Sequence, residues 1–242
     1  MNRSSLSILI GAAFLAASIP QIHSQEPAPA PARPAPKTAA GIRYKPPVTG
    51  GPVLTVTGGS RAGGVGDLPS LSVLAPEHEA LTTQAQPALF WYQSGPAKVE
   101  IELTLTEPKK AQPLLNLRGG GEQLAGIHSI SLARQKISLE PNLIYHWSVA
   151  LIPDPKSRSK DVIARGVIKR VEAPADLTAK IENASHAERA VIYAEAGFWY
   201  DSLQALSLAI AAEPKNASLH RLRADLLEQG KLKEAAAAER KQ

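Results

Sequence analysis

Six histidines, two neighbouring glutamates, one glycine-rich loop and one basic loop are the places where this chain could do chemistry. The histidines are His23, His78, His128, His146, His186 and His220. None forms a His-x-x-x-His pair or stands at ligand spacing from a carboxylate, so a zinc site is not expected. There is no Gly-x-Ser-x-Gly elbow for a nucleophile. Glu100 and Glu102 share one face of an alternating segment. Two carboxylates that cleave a glycosidic bond must face each other across a cleft, so a solvated surface is the simpler reading. The run GGSRAGGVG lacks a Gly-Lys-Ser/Thr ending and leads into Asp67-Leu68-Pro69 instead of a helix start. A turning loop therefore suits it better than a phosphate cradle.

The basic loop is the most informative of these places. Lys156, Arg158, Lys160, Arg165, Lys169 and Arg170 stand against only Asp154 and Asp161. Lys156, Arg158, Lys160 and Arg165 are the candidate binding residues, for an anionic polymer, a lipid headgroup or an acidic protein face. The alternative is a loop that only aids solubility. Overall charge is +5 without a basic stripe interleaved with aromatics, so nucleic acid is not an expected partner. With no cysteine there is no disulfide framework, no thiolate metal site and no acylated lipoprotein anchor. No cofactor is expected.

The elements that must position these groups change character along the chain. Arg3, the apolar run Leu6–Ala17 and the small residues after Pro20 have the layout of a secretory signal peptide over residues 1–24. Cleavage fits best after Ser24, with Ser18 as the second site, and the product would be periplasmic or secreted. The apolar run falls short of the roughly 20 residues of a span, so no membrane span is expected after processing. Residues 25–52 read as a Pro/Ala-rich linker, because the alternating Pro-Ala run favours extended polyproline II.

Residues 53–172 read as short strands between turn residues, starting with a candidate at Val53–Thr57. Ala88–Gln93, Lys98–Thr106, Ile127–Leu132, Leu143–Leu151 and Asp161–Val171 are the strong candidates, and Leu71–Leu74 and Pro113–Leu117 the weaker ones. This spacing predicts an immunoglobulin- or fibronectin-like antiparallel β-sandwich. Trp91, Tyr145 and Trp147 are assigned to its core, with Tyr145 tying a corner after Leu139-Glu140-Pro141.

Residues 173–242 turn helical, so the fold class is α+β. Asp176 is read as the cap of a short helix, and Ser185-His186-Ala187-Glu188 as a capping box. Gly197 and Gly230 end two helices one repeat apart, for a period of about 34 residues. Ala190, Tyr193, Gly197, Trp199, Ala209 and Pro214 fall where a tetratricopeptide hairpin wants small, aromatic, turn and stop residues. Tyr193 and Trp199 are accordingly core residues. Ser202 departs from that pattern, where alanine is usual. Residues 231–242 are expected to form a last, fraying helix.

Four blocks, LPSLSVLAPE, PALFWY, LIYHWSVALIPDPKSRSKDVIARGVIKRV and ERAVIYAEAGFWYDSL, together resemble the bacterial family catalogued as domain of unknown function 928. The resemblance covers about residues 55–230. It implies an exported protein of unassigned activity and supplies no catalytic residues. Members of that family often carry Cys where this chain has Pro153. The expected function is a non-enzymatic interaction or adaptor module with a protein partner in the envelope. Two alternatives stand beside it: a carbohydrate-active or hydrolytic enzyme built around Glu100, His128 and His146, and an envelope assembly or secretion chaperone.

Overall fold

A computed structural model describes residues 41–47 and 68–242. The expected signal segment, the Pro-Ala run, the candidate strand Val53–Thr57 and the glycine-rich loop lie outside those residues. The described residues belong to one compact unit, with strands and helices contributing to a single core.

The strands are β1 (Leu71–Val73), β2 (Ala80–Thr82), β3 (Ala88–Gln93), β4 (Ala97–Lys98), β5 (Glu100–Thr106), β6 (Leu115–Gly119), β7 (Glu122–Gln123), β8 (Gly126–Ser131), β9 (Ile144–Ile152) and β10 (Val162–Arg170). They form a five-stranded sheet ordered β2-β10-β9-β5-β6, a three-stranded sheet ordered β1-β3-β8, and a β4-β7 ribbon. Every pairing is antiparallel except β2 with β10.

Period-two alternation explains why β5 and β9 form where they do. Tyr145, Trp147, Val149 and Leu151 of β9 are buried, and three of them face Leu105, Leu103 and Ile101 of β5. On the other side they face Ile168, Gly166, Ala164 and Val162 of β10. The Tyr145 hydroxyl accepts the Glu140 amide at 2.8 Å, fixing the turn that enters β9. β2 has three residues and no alternation of its own. Its register comes from lying parallel to Ile168–Arg170.

The helices are α1 (Ala175–Ile181), α2 (His186–Glu195), α3 (Trp199–Ala212), α4 (Ala217–Gln229) and α5 (Lys233–Glu239). No described helix is long and apolar enough to cross a membrane. Both halves of the capping box at Ser185 and Glu188 are formed. Asn216 caps α4 through the Ser218 amide. Asp176 does not cap α1: Pro174 holds that position, and Asp176 sits in the first turn paired with Lys180 at 3.0 Å. Ser202 departs from alanine with a purpose, since its hydroxyl donates to the Ala190 carbonyl at 2.8 Å and ties α3 to α2.

Three consecutive residues at the start of α3 join the helices to the strands. Trp199 Nε1 donates to the Leu74 carbonyl just past β1, at 2.8 Å. The Tyr200 hydroxyl accepts from Trp147 Nε1 at 2.9 Å and donates to the Val167 carbonyl at 2.8 Å. Asp201 accepts from the Thr83 amide at 3.0 Å and the Thr83 hydroxyl at 2.6 Å, just past β2. All three side chains are buried. Gln204, a turn later, accepts the Ala88 amide at 2.9 Å.

The two helix-ending glycines serve different ends. Gly197 has φ +85°, the left-handed turn that glycine favours. Gly230 has an ordinary φ of −80°, and the left-handed residue is Lys231 at φ 64°. Glycine is needed at 230 because a Cβ there would lie 2.4 Å from the Trp199 ring. The expected last helix forms over Lys233–Glu239 and is tied to α4. Glu239, almost fully buried, accepts from Arg223 at 2.7 Å and lies 2.6 Å from His220 Nδ1, while Arg240 reaches Glu228 and Asp225.

Two measurements follow. Gly230→Ala forces the Trp199 ring to shift and is expected to cost about 1–3 kcal/mol in urea unfolding. Gly119→Ala meets nothing within 4 Å and should stay within about 0.5 kcal/mol of wild type. Burial raises the Asp201 carboxyl above its ordinary range, against the hydrogen bonds from Thr83 and Thr82 that lower it. A raised acid binds its proton more tightly in the folded chain than in the unfolded one. Its contribution to stability is therefore full below the ordinary value of about 3.9 and declines as pH rises through the raised value. Asp201→Asn should flatten that decline in unfolding measured across pH 4–8.

Candidate functional site

The basic loop connects β9 to β10, with a 3-10 turn at Arg158–Lys160. Arg158 is not a free cation. Its Nη2 donates to Glu102 at 2.6 Å and its Nε to Asp161 at 2.5 Å, and Arg118 from β6 donates to the other Glu102 oxygen at 2.9 Å. The register places Glu102 opposite Arg118, so strand pairing builds this network directly. Burial acts to raise the Glu102 carboxyl, but the hydrogen bonds from Arg158 and Arg118 outweigh it and hold the group below the usual range.

Lys156, Lys160 and Arg165 are exposed, and no ion pair engages them among the described residues. Lys156 and Lys160 belong to the loop. Arg165 lies on the strand itself, opposite Ser148, which in turn faces Thr104. These three line a shallow pocket with Thr106 and His146. The candidate enzyme set is not brought together. Glu100 pairs with Ile152 and Thr106 with His146, so Glu100 and His146 are six strand residues apart, about 20 Å. His128 belongs to the other sheet, where its ring stacks on Trp91 at 5.5 Å. Trp91, Tyr145, Trp147, Tyr193 and Trp199 are all buried.

A second place was not anticipated from sequence. Residues 41–47 fall within the segment read as linker, yet they lie extended along the C-terminal ends of α2 and α4. The Lys45 amide donates to the Ala194 carbonyl at 3.0 Å. Gln229 grips the main chain with both atoms of its amide: Oε1 accepts from the Tyr44 amide at 2.8 Å and Nε2 donates to the Ile42 carbonyl at 3.0 Å. Side chains alternate, with Ile42 and Tyr44 buried and Arg43 and Lys45 exposed.

Tyr44 meets the edge of Trp199 at 5.0 Å and stacks beside His78, whose Nε2 lies 2.8 Å from its hydroxyl. Burial pushes the Tyr44 phenol up and the His78 imidazole down, the latter helped by Lys231 and opposed by Glu77. The His78 ring therefore favours its neutral form, which keeps an acceptor available to the phenol. Gly197 completes the groove: a Cβ there would lie 2.9 Å from the Lys45 carbonyl. A cleft bordered by Pro46, Glu77, His78 and Gln229 opens beside the segment. The one sequence signal of this docking is an apolar residue and a tyrosine two apart, followed by Pro46-Pro47, in a stretch otherwise rich in Ala, Gly and Pro.

Ile42 and Tyr44 are the segment's two buried side chains, and ordering its backbone costs about 1–2 kcal/mol per residue. So short a segment with two anchors opens more readily than the strands and helices it lies on.

Arg158→Ala is expected to lower the urea-unfolding midpoint at neutral pH, because Glu102 and Asp161 lose their shared partner. A lowered carboxyl contributes its stability above its ordinary value and loses it as pH falls through the lowered one. The difference between wild type and Arg158→Ala should therefore close in the acid range.

A search among curated proteins found no match. A family model described as Domain of Unknown Function (DUF928) matches residues 56–240, a span that takes in every described strand and helix. The four blocks LPSLSVLAPE, PALFWY, LIYHWSVALIPDPKSRSKDVIARGVIKRV and ERAVIYAEAGFWYDSL fall inside it, and the chain belongs to this family of unknown function.

Proposed function

We propose that the chain is an exported, non-enzymatic interaction protein of the bacterial envelope, in which an immunoglobulin-like β-sandwich is braced by a tetratricopeptide-like helical unit. The observation that carries this reading is the grip of Gln229 and Ala194 on an extended segment through its main chain. A surface that satisfies main-chain groups and buries alternate side chains is built to hold a peptide.

Other features support the two halves of the description. The antiparallel sheets share one core, and Tyr145 takes up an amide five residues upstream, as a tyrosine corner does. The α2–α3 hairpin turns at Gly197 and is fastened by Ser202 to Ala190. Lys156, Lys160 and Arg165 give the strand half an electropositive outer surface suited to an acidic protein face.

The test is affinity capture of the intact chain from native envelopes under mild cross-linking. A discrete cross-linked partner is expected, with its yield reduced about threefold or more by combined Lys156→Glu and Lys160→Glu substitution. A yield unchanged by those reversals would leave the loop a solvated surface. Recovery of no partner at all would contradict the interaction reading.

A further inference from the structure

This inference rests on the interaction reading and names its site and the class of partner. The groove between the C-terminal ends of α2 and α4 is filled by residues 42–46 of the same chain. What it recognises can be read from that occupant. Main-chain groups are met by the Gln229 amide and the Ala194 carbonyl, which any extended peptide except one with proline at the donor positions would satisfy. Selectivity comes from two inward side chains. One is the branched apolar Ile42. The other is Tyr44, whose ring is held between Trp199 and His78 and whose hydroxyl reaches the His78 imidazole. Arg43 and Lys45 point outward and are exposed, so these positions carry little information. Pro46 follows at the mouth of the adjoining cleft.

We propose that this groove is a binding site for an extended segment of another protein with the pattern apolar, any residue, tyrosine, any residue, proline, and that residues 42–46 are an internal stand-in which such a partner displaces.

Several observations favour exchange over a permanent clasp. The segment is anchored by two side chains, three main-chain hydrogen bonds and the one between the Tyr44 hydroxyl and His78, with every second side chain in solvent. Two of the groove's side chains also have partners outside the segment: Gln229 Nε2 donates to the Asp225 carbonyl within its own helix, and Trp199 Nε1 donates to the Leu74 carbonyl. Gly197 and Gly230 clear the space on either side, one for the Lys45 carbonyl and one for the Trp199 ring. Because the internal segment is tethered, it competes with any partner at an effective concentration in the millimolar range. Partner binding is therefore weak until the tethered copy is weakened or the partner is itself held nearby.

The probe is a fluorescent synthetic peptide, Gly-Ile-Gln-Tyr-Gln-Pro-Pro, which copies residues 41–47 with the two outward cations replaced by glutamine so that trypsin spares it. The full chain carrying Tyr44→Ala should bind it about tenfold or more tighter than wild type does. The same peptide with alanine for its tyrosine should lose that binding. A Tyr44→Ala chain with native circular dichroism that binds no better than wild type would overturn the proposal.

A second measurement uses the wild-type chain and does not depend on any variant folding. Tryptic cleavage after Arg43, followed by mass spectrometry, reports release of the segment. Peptide at about 1 mM or more should speed that cut about threefold or more, since cleavage tracks the open population. An unchanged rate would overturn the proposal. So would a wild-type chain that sediments as a segment-exchanged dimer at working concentration, because the occupant would then be a second copy. Envelope capture that succeeds while the peptide fails would discard this site and leave the interaction reading standing. Peptide binding without any captured partner would do the reverse.

Discussion

The structure depends on one run of three side chains, Trp199, Tyr200 and Asp201, at the start of a helix. Each reaches a different strand or strand end: Leu74 past β1, Val167 and Trp147 in β10 and β9, and Thr83 past β2. With about 3.6 residues per helical turn, successive side chains step round the axis by about 100°, so three in a row fan out in three directions. Buried polar groups are costly unless met, and these are met by partners that only the folded strands supply. The helices thus do not form a separate scaffold beside the sheets. They close the same core.

That anchoring sets what surrounds it. With the Trp199 ring fixed by Leu74, the chain passing over it at residue 230 must be glycine. The same ring is the wall against which Tyr44 packs. The docked N-terminal segment is therefore a consequence of the same anchor, reached through Trp199. It also adds the groove's most selective contact, the pairing of a phenol with the His78 imidazole, whose charged form burial disfavours. The basic loop lies apart from this chain of dependence. Its central arginine is spent on Glu102 and Asp161, which order the loop from within.

Much of the strand placement was legible because β5, and β9 as far as Val149, alternate regularly enough to assign a buried face. β3 ran between the expected ends, and the capping box at Ser185 formed from the expected pair. What was not legible depended on distant partners. β2 has no pattern of its own and exists because β10 offers an edge. Asp176 stands two residues past the capping position, which Pro174 holds. Gly197 and Gly230 looked alike at repeat spacing, yet one answers to backbone conformation and the other to an indole ring. Arg158 and Lys160 looked equivalent in the loop, and only the register of β5 against β6 and β9 shows that one is paired and the other free. The docking of residues 41–47 was hidden inside a proline-rich composition, because two buried side chains are too few to stand out from a linker.

The central claim is that the N-terminal segment is docked yet released without unfolding the core. Hydrogen exchange at the Tyr44 and Lys45 amides tests it most directly, since both are held by the groove, through Gln229 and Ala194. The account predicts measurable protection at these two amides, set by a local opening that does not change with low denaturant. Amides of Val149, Ile168 and Leu203 should exchange only through global unfolding. Absence of protection at Tyr44 and Lys45, or exchange there that follows the global transition, would contradict it.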